Sequence, residues 1–238
     1  MKEILEAVRI PEEIGLLDYF EKTFNLNAIN KLLKAKMAES PDRSVPFYMR
    51  GYNLPIYAEF GGALFDTCKK AVERLGFPEN RFEFYVDNSP NFNTFSIASV
   101  DEVKPFTIVF NRGLVERVGA EELAFVIGHE IGHLVYDHTY VQRAIEFVYP
   151  EYENLPPLMK KLHSVWSRLG EISADRVGLL ACGDYESSVR ALFKLSSGLD
   201  EKHFNLSHQN LSQIVERTFA EMKQNPTYVS GSHPANPI

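Results

Sequence analysis

GHEIGHLVYDH, residues 128–138, places His129 and His133 four positions apart, with Glu130 directly after the first. Apolar residues recur around them at helical spacing, which predicts a buried α-helix. Residues four apart share one face of a helix, so the two histidines could direct ring nitrogens at a single metal ion. Glu130 could then take a proton from a water on that ion. The alternative is a metal-free pair of core histidines.

A catalytic zinc ion needs a third protein ligand as well as an open coordination position. The segment WSRLGEISADRVGLLAC, residues 166–182, has helical periodicity and carries Glu171 and Asp175 four positions apart. Glu171 could complete the ligand set, and Asp175 could accept a hydrogen bond from a histidine ring and so fix its tautomer. The alternative is a solvated helix face whose acids pair with Arg168 or Arg176.

The other histidines offer no ligand spacing of this kind. His138 lies nine residues after His129, about half a turn round a continuous helix from it. We therefore expect its side chain to face away from the ion and to lie at the surface. His163 has no partner at ligand spacing and is expected to be structural or solvated.

The composition is that of a globular protein with one sizeable core. The chain has 238 residues, 45% hydrophobic and 24% charged, with a formal net charge of -7. This acidic balance, without any basic run, argues against nucleic acid as a partner. No apolar run approaches the roughly 18 residues of a membrane helix, and no signal peptide is visible at the start. With its two cysteines expected to be free thiols, the protein is predicted to be cytoplasmic; its oligomeric state is not predicted.

Hydrophobic periodicity divides the chain into a helical start, a short β-rich centre and a helical second half. The runs RFEFYVD, NTFSIASV and PFTIVFN, between residues 81 and 111, have the composition of strands. We therefore expect an α+β fold, helix-dominated, with a small β-sheet over the HExxH helix. We expect a single domain over residues 1–238, with a helical N-terminal region at 1–55 and a catalytic core at 56–238.

Three motifs, in order, resemble one protein family. HEIGH at 129–133, EISAD at 171–175 and NTFS at 93–96 are similar to the HExxH, ExxxD and NAFA-type segments of the zinc metallopeptidases that include HtpX and the CAAX prenyl protease, among the gluzincins. The likeness covers about residues 81–183. Well-known relatives carry membrane helices that this sequence lacks, so it resembles the soluble, minimal members, and no transmembrane segment is expected.

The resemblance implies a zincin-like metallopeptidase domain with one Zn²⁺ per chain. It implies that His129, His133 and Glu171 hold the ion. Glu130 would be the catalytic general base and would later protonate the leaving amine, while Asp175 would support a ligand histidine.

The resemblance also implies a substrate-binding strand and a C-terminal catalytic histidine. Backbone around Asn93, Thr94 and Phe95 would lie beside an extended peptide, because an open strand edge binds main chain of any sequence. An ordinary sheet edge is the alternative. SHPANPI, residues 232–238, resembles the family's HP motif and makes His233 a candidate to stabilise the oxyanion, with a surface histidine as the alternative.

These observations predict a zinc-dependent metalloendopeptidase. It would hydrolyse internal peptide bonds of extended peptides or unfolded proteins by metal-activated water. The expected partner is therefore a peptide or protein substrate. The alternative function is a zinc-bound but proteolytically silent or autoinhibited peptide-binding or regulatory module.

Overall fold

The computed structural model of the protein describes residues 2–38, 51–97, 105–199 and 201–203, with positions 210, 213, 216 and 217 beyond them. Helices dominate this part of the chain, and four strands form one small sheet. The predicted α+β, helix-dominated fold class is confirmed. The helices are α1 (Lys2–Val8), α2 (Pro11–Phe24), α3 (Leu26–Ala38), α4 (Ala58–Arg74), α5 (Arg112–Val115), α6 (Ala120–Val135), α7 (His138–Val148), α8 (Pro157–Cys182) and α9 (Tyr185–Ser197). The strands are β1 (Leu54–Pro55), β2 (Phe82–Asp87), β3 (Thr94–Ile97) and β4 (Phe106–Asn111).

The sheet has the strand order β1-β2-β4-β3. β4 runs parallel to β2 and antiparallel to β3, and β1 pairs antiparallel with β2. The centre of β4 is fully buried at Ile108, Val109 and Phe110, whereas Phe95 in β3 is 37% exposed. β3 is an edge strand, and within the described residues its second edge pairs with no other strand.

The motif helix α6 lies in the centre of the core. Its apolar residues Val126 and Ile131 are fully buried, as the periodicity predicts. The helix ends at Val135, because Asp137 adopts a left-handed conformation with φ 59°. Aspartate tolerates this conformation better than most residues do. A separate helix, α7, then begins at His138.

Helix α8 approaches α6 closely because small residues line both helices where they touch. A Cβ on Gly132 would lie 2.8 Å from the Cα of Ala174, and a Cβ on Gly128 would overlap Ala181. Glycine is an unfavourable residue in the middle of a helix, so its presence at both positions has a packing reason. The close approach brings the acidic face of α8 within reach of the α6 histidines.

The N-terminal helices pack on the second half of the chain. A second apolar cluster joins Phe20 and Leu26 to Val141 and Trp166, and so holds α2 and α3 against α7 and α8. The single domain over residues 1–238 stays a prediction. Across the ranges given above, no helix combines the length and apolarity needed to cross a membrane.

Candidate metal centre

Three side chains converge between α6 and α8. His129 Nε2 lies 3.0 Å from His133 Nε2, and the carboxylate of Glu171 lies 3.6 Å from the first nitrogen and 3.7 Å from the second. Two ligand atoms about 2.1 Å from a tetrahedral zinc ion are about 3.4 Å apart, so the spacing fits a shared zinc. Two imidazoles and one carboxylate are also a donor set typical of catalytic zinc sites that keep a fourth position open.

Asp175 lies behind the first histidine. Its Oδ1 is 2.8 Å from His129 Nδ1, and a carboxylate accepts, so Nδ1 carries the proton and Nε2 is left free for a metal. Burial alone would lower the pKa of His129, but the hydrogen bond and charge of Asp175, with the charges of Glu171 and Glu130, raise it to about 9. Protons therefore compete with a metal ion for this ring.

Of the two arginines considered as partners for the acids of α8, Arg176 lies elsewhere. Arg176 donates from Nη1 to the carbonyl oxygen of Val8 at 3.0 Å. Glu171 and Asp175 instead face His129. The acidic pair therefore belongs to the cluster of titratable groups between the two helices.

The prediction for His138 is wrong. Its side chain is only 7% exposed, and its Nδ1 lies 2.8 Å from His133 Nδ1. The expectation assumed one continuous helix through residue 138. Because the chain turns at Asp137 and starts a new helix, the ring folds back beside the metal centre.

Glu130 lies next to the three converging side chains and contacts the edge strand. It is 6% exposed, and a hydrogen bond joins it to the side chain of Ser96 in β3. Burial raises the pKa of Glu130 and the charge of Glu171 adds to the rise, while His129 and Ser96 oppose it. A carboxylate with a raised pKa is better matched to moving protons near neutral pH than an exposed one.

The register of β3 against β4 decides which residues of β3 could offer main-chain hydrogen bonds to a peptide. Asn111 N–H donates to Asn93 O at 3.1 Å, and the antiparallel register pairs Phe95 with Val109. Hydrogen-bonded pairs alternate along such a ladder, so the backbone groups of Asn93 and Phe95 face β4. The backbone groups of Thr94 and Ser96 then face the open edge. Of the three residues expected to bind substrate, Thr94 alone presents its main chain there.

A groove runs past the site. A cavity of about 650 Å³, between β3 and α9, is lined by Glu130 and Thr94 among others. A second cavity of about 350 Å³ lies between α7 and α8. Both are lined by Ser96, His133 and Glu171, so they form two sides of one groove along the edge of β3. His233 lies outside the described residues.

Comparison with known proteins finds a partial match to one family. Residues 62–151 match the model of Peptidase family M48. The predicted family resemblance is confirmed. The matched segment contains the HEIGH motif, and M48 metallopeptidases are zinc-dependent.

Individual proteins are similar to this chain as well. The Plastoglobule-localized metallopeptidase 48, chloroplastic, of Arabidopsis thaliana is 30% identical over 123 residues, which are 49% of this chain and 35% of that protein. The alignment therefore spans about a third of the curated relative. The crystal structure of S. mikatae Ste24p superposes with a TM-score of 0.50 at 18% identity, covering 92% of this chain and 60% of that one. This second likeness concerns the fold alone, and it supports the zincin-like architecture.

Sequence reasoning missed the contacts of three residues around the site. They are Ser96, which bonds Glu130, and the linked pair His138 and Glu13. Asp137, directly before α7, gave one usable signal, because aspartate at this position is compatible with a helix end. No local pattern could indicate Glu13, which lies 125 positions from its partner.

Proposed function

We propose that this protein is a zinc-dependent metalloendopeptidase that cleaves internal bonds of extended peptides or unfolded proteins. The observation that carries the proposal is the convergence of His129, His133 and Glu171 beside buried Glu130. These side chains lie under the edge of β3 that pairs with no other strand of the described part of the chain. One zinc ion per chain would be held by the three converging side chains. When bound, it supplies a Lewis acid and a water of lowered pKa.

Each neighbouring side chain has a proposed task in the reaction. Glu130 accepts the proton of the attacking water and passes it to the leaving amine, which its raised pKa favours. Asp175 keeps the proton of His129 on Nδ1 and so keeps Nε2 available. His233 stays a proposed stabiliser of the oxyanion.

The substrate is proposed to lie as an added strand along β3. Thr94 and Ser96 would exchange main-chain hydrogen bonds with it, which binds peptides irrespective of sequence. A peptide must be extended to pair in this way, so unfolded segments are preferred to folded domains. The two cavities that form the sides of the groove are the places where substrate side chains would be recognised.

The test compares wild type with Glu130→Gln, which keeps the side-chain shape but removes the base. Both proteins should contain one zinc per chain, and wild type alone should cleave casein and a peptide blocked at both termini. Glu116→Gln, which changes an exposed glutamate paired with Arg112 in α5, is the matched control and should cleave normally. Zinc binding without any Glu130-dependent cleavage would contradict the proposal and favour a proteolytically silent binding module.

A further inference from the structure

A chain of buried polar contacts leads from the second histidine of the metal centre to the N-terminal helix α2. His133 Nδ1 contacts His138 Nδ1 at 2.8 Å, and His138 Nε2 contacts Glu13 Oε1 at 3.0 Å. Arg9 closes the series, with Nη2 at 2.6 Å from the same carboxylate oxygen. Glu13 is fully buried and His138 nearly so. Glu13 and Arg9 lie outside the segment that matches the family model.

The donors and acceptors along this series can be assigned in one way that permits metal binding. The Glu13 carboxylate only accepts, so His138 carries its proton on Nε2. Neutral His138 then accepts at Nδ1, which requires His133 to donate from its own Nδ1. His133 Nε2 is therefore left without a proton, and this is the atom that faces His129 and Glu171.

The two ligand histidines are thus supported in parallel ways by different helices. His129 donates from Nδ1 to Asp175 in α8, and His133 donates from Nδ1 to His138, which is held by Glu13 in α2. A partner of this kind fixes the ring orientation and the tautomer of a metal-binding histidine.

The buried charge of Glu13 needs a reason, because a buried ion pair rarely stabilises a protein more than apolar residues of similar volume would. Burial alone would raise the pKa of Glu13, but its hydrogen bonds with His138, Ser173 and Arg9 hold it below the usual range. Glu13 is therefore a carboxylate, the form that can only accept from His138.

We propose that Glu13 and His138 are positioning residues for the metal ion, and that helix α2 is thereby part of the metal centre. His138 would orient His133 directly, and Glu13 would act through His138. The inference rests on the proposed zinc site, but not on proteolysis. Its readout is therefore zinc affinity, measured by competition with a chromophoric chelator.

The main variant is His138→Phe, which keeps a ring against Trp166 but removes the acceptor for His133. We expect its dissociation constant for zinc to rise about 10- to 100-fold, as is usual when the partner of a ligand histidine is lost. Glu13→Gln keeps an acceptor oxygen and loses the charge, so a smaller, several-fold rise is expected. The matched control is His163→Phe, since His163 is also buried against Trp166 but has its Nδ1 contact with the hydroxyl of Tyr152. Its zinc affinity should equal that of wild type.

The double variant separates positioning from packing. If Glu13 acts through His138, Glu13→Gln should have no further effect on zinc affinity once His138 is phenylalanine. Folded His138→Phe protein with wild-type zinc affinity would overturn the proposal. Should that variant not fold, Glu13→Gln decides, and an unchanged dissociation constant would overturn it. Wild-type protein that binds zinc yet cleaves nothing would remove the proposed function and leave this inference standing.

Discussion

Gly132 in α6 packs directly against Ala174 in α8, so that a Cβ on the glycine would lie 2.8 Å from the alanine Cα. This contact involves backbone, which cannot move aside as the end of a long side chain can. The separation of the two helices at this point determines the distance between the histidines of α6 and the acids of α8. The packing and the candidate site are therefore one structural unit.

Gly132→Ala should accordingly damage stability and zinc affinity together. Overpacking of this kind costs about 1–3 kcal/mol, and the helices must separate to accept the methyl group. Gly15→Ala is the matched control, because Gly15 is exposed in α2 and nothing lies within 4 Å of its added Cβ. That change should stabilise the protein by roughly 0.5–1 kcal/mol. Urea unfolding measures the change in stability, and zinc competition measures the change in affinity. Unchanged zinc affinity in Gly132→Ala would contradict the claim that this helix contact controls the geometry of the site.

Asp175→Asn should weaken zinc binding by about 10- to 100-fold while leaving the fold intact. The amide loses the charge that holds the proton on His129 Nδ1. Asp18→Asn, at an exposed position of α2, serves as the control and should bind zinc as wild type does. Equal affinities in both variants would rule out a supporting role for Asp175.

The stability of the metal-free protein should fall with rising pH through the titration of His129. Its pKa is raised to about 9 in the folded state, above the unfolded value of about 6.5. The stabilisation from its charged form is therefore fully present below pH about 6.5 and is lost as pH rises through 9. Urea unfolding of chelator-treated protein across this range should show the decline. Asp175→Asn should show a flatter curve, and identical curves would contradict the assigned cause.

Lys194→Met should destabilise the protein without changing zinc affinity. Lys194 Nζ donates to the Glu122 carboxylate at 2.8 Å, and both side chains are only 7% exposed. Removing one partner of a buried pair costs about 3–5 kcal/mol, because the other charge stays buried. Lys69→Met breaks an exposed pair with Glu79 and should have little effect. Arg190 Nε lies 3.7 Å from Glu122 Oε1, so a small loss of stability in Lys194→Met would show that Arg190 compensates for the missing charge.

The parts of the fold that sequence could predict are those with strong local patterns. The helix of HEIGH and the helix of EISAD have apolar periodicity, and the four-residue spacing of their functional residues places those residues on one face. The strands were recognisable for the same reason, from their β-branched and aromatic composition. The convergence of Glu171 with His129 followed from the resemblance, whereas its distance depends on the glycine packing.

The parts that sequence could not predict depend on tertiary contacts. His138 was misplaced because the helix ends at Val135 and the chain turns at Asp137, and the direction of the next helix depends on packing against α8. Ser96 turns its backbone groups to the open edge because of the register between β3 and β4. A shift of the register by one position would exchange the residues that face the edge with those that face β4. Glu13 reaches the site only because α2 packs against α8, far from it in sequence.

The most direct measurement of the central claim is the zinc content of purified wild type and Glu171→Gln, made on the same samples whose cleavage of a blocked peptide is followed. The proposed ligand set predicts one zinc per chain with cleavage in wild type. It predicts the loss of both in Glu171→Gln, whose amide is a poor ligand at the third position. A Glu171→Gln protein that keeps stoichiometric zinc and wild-type cleavage would contradict it.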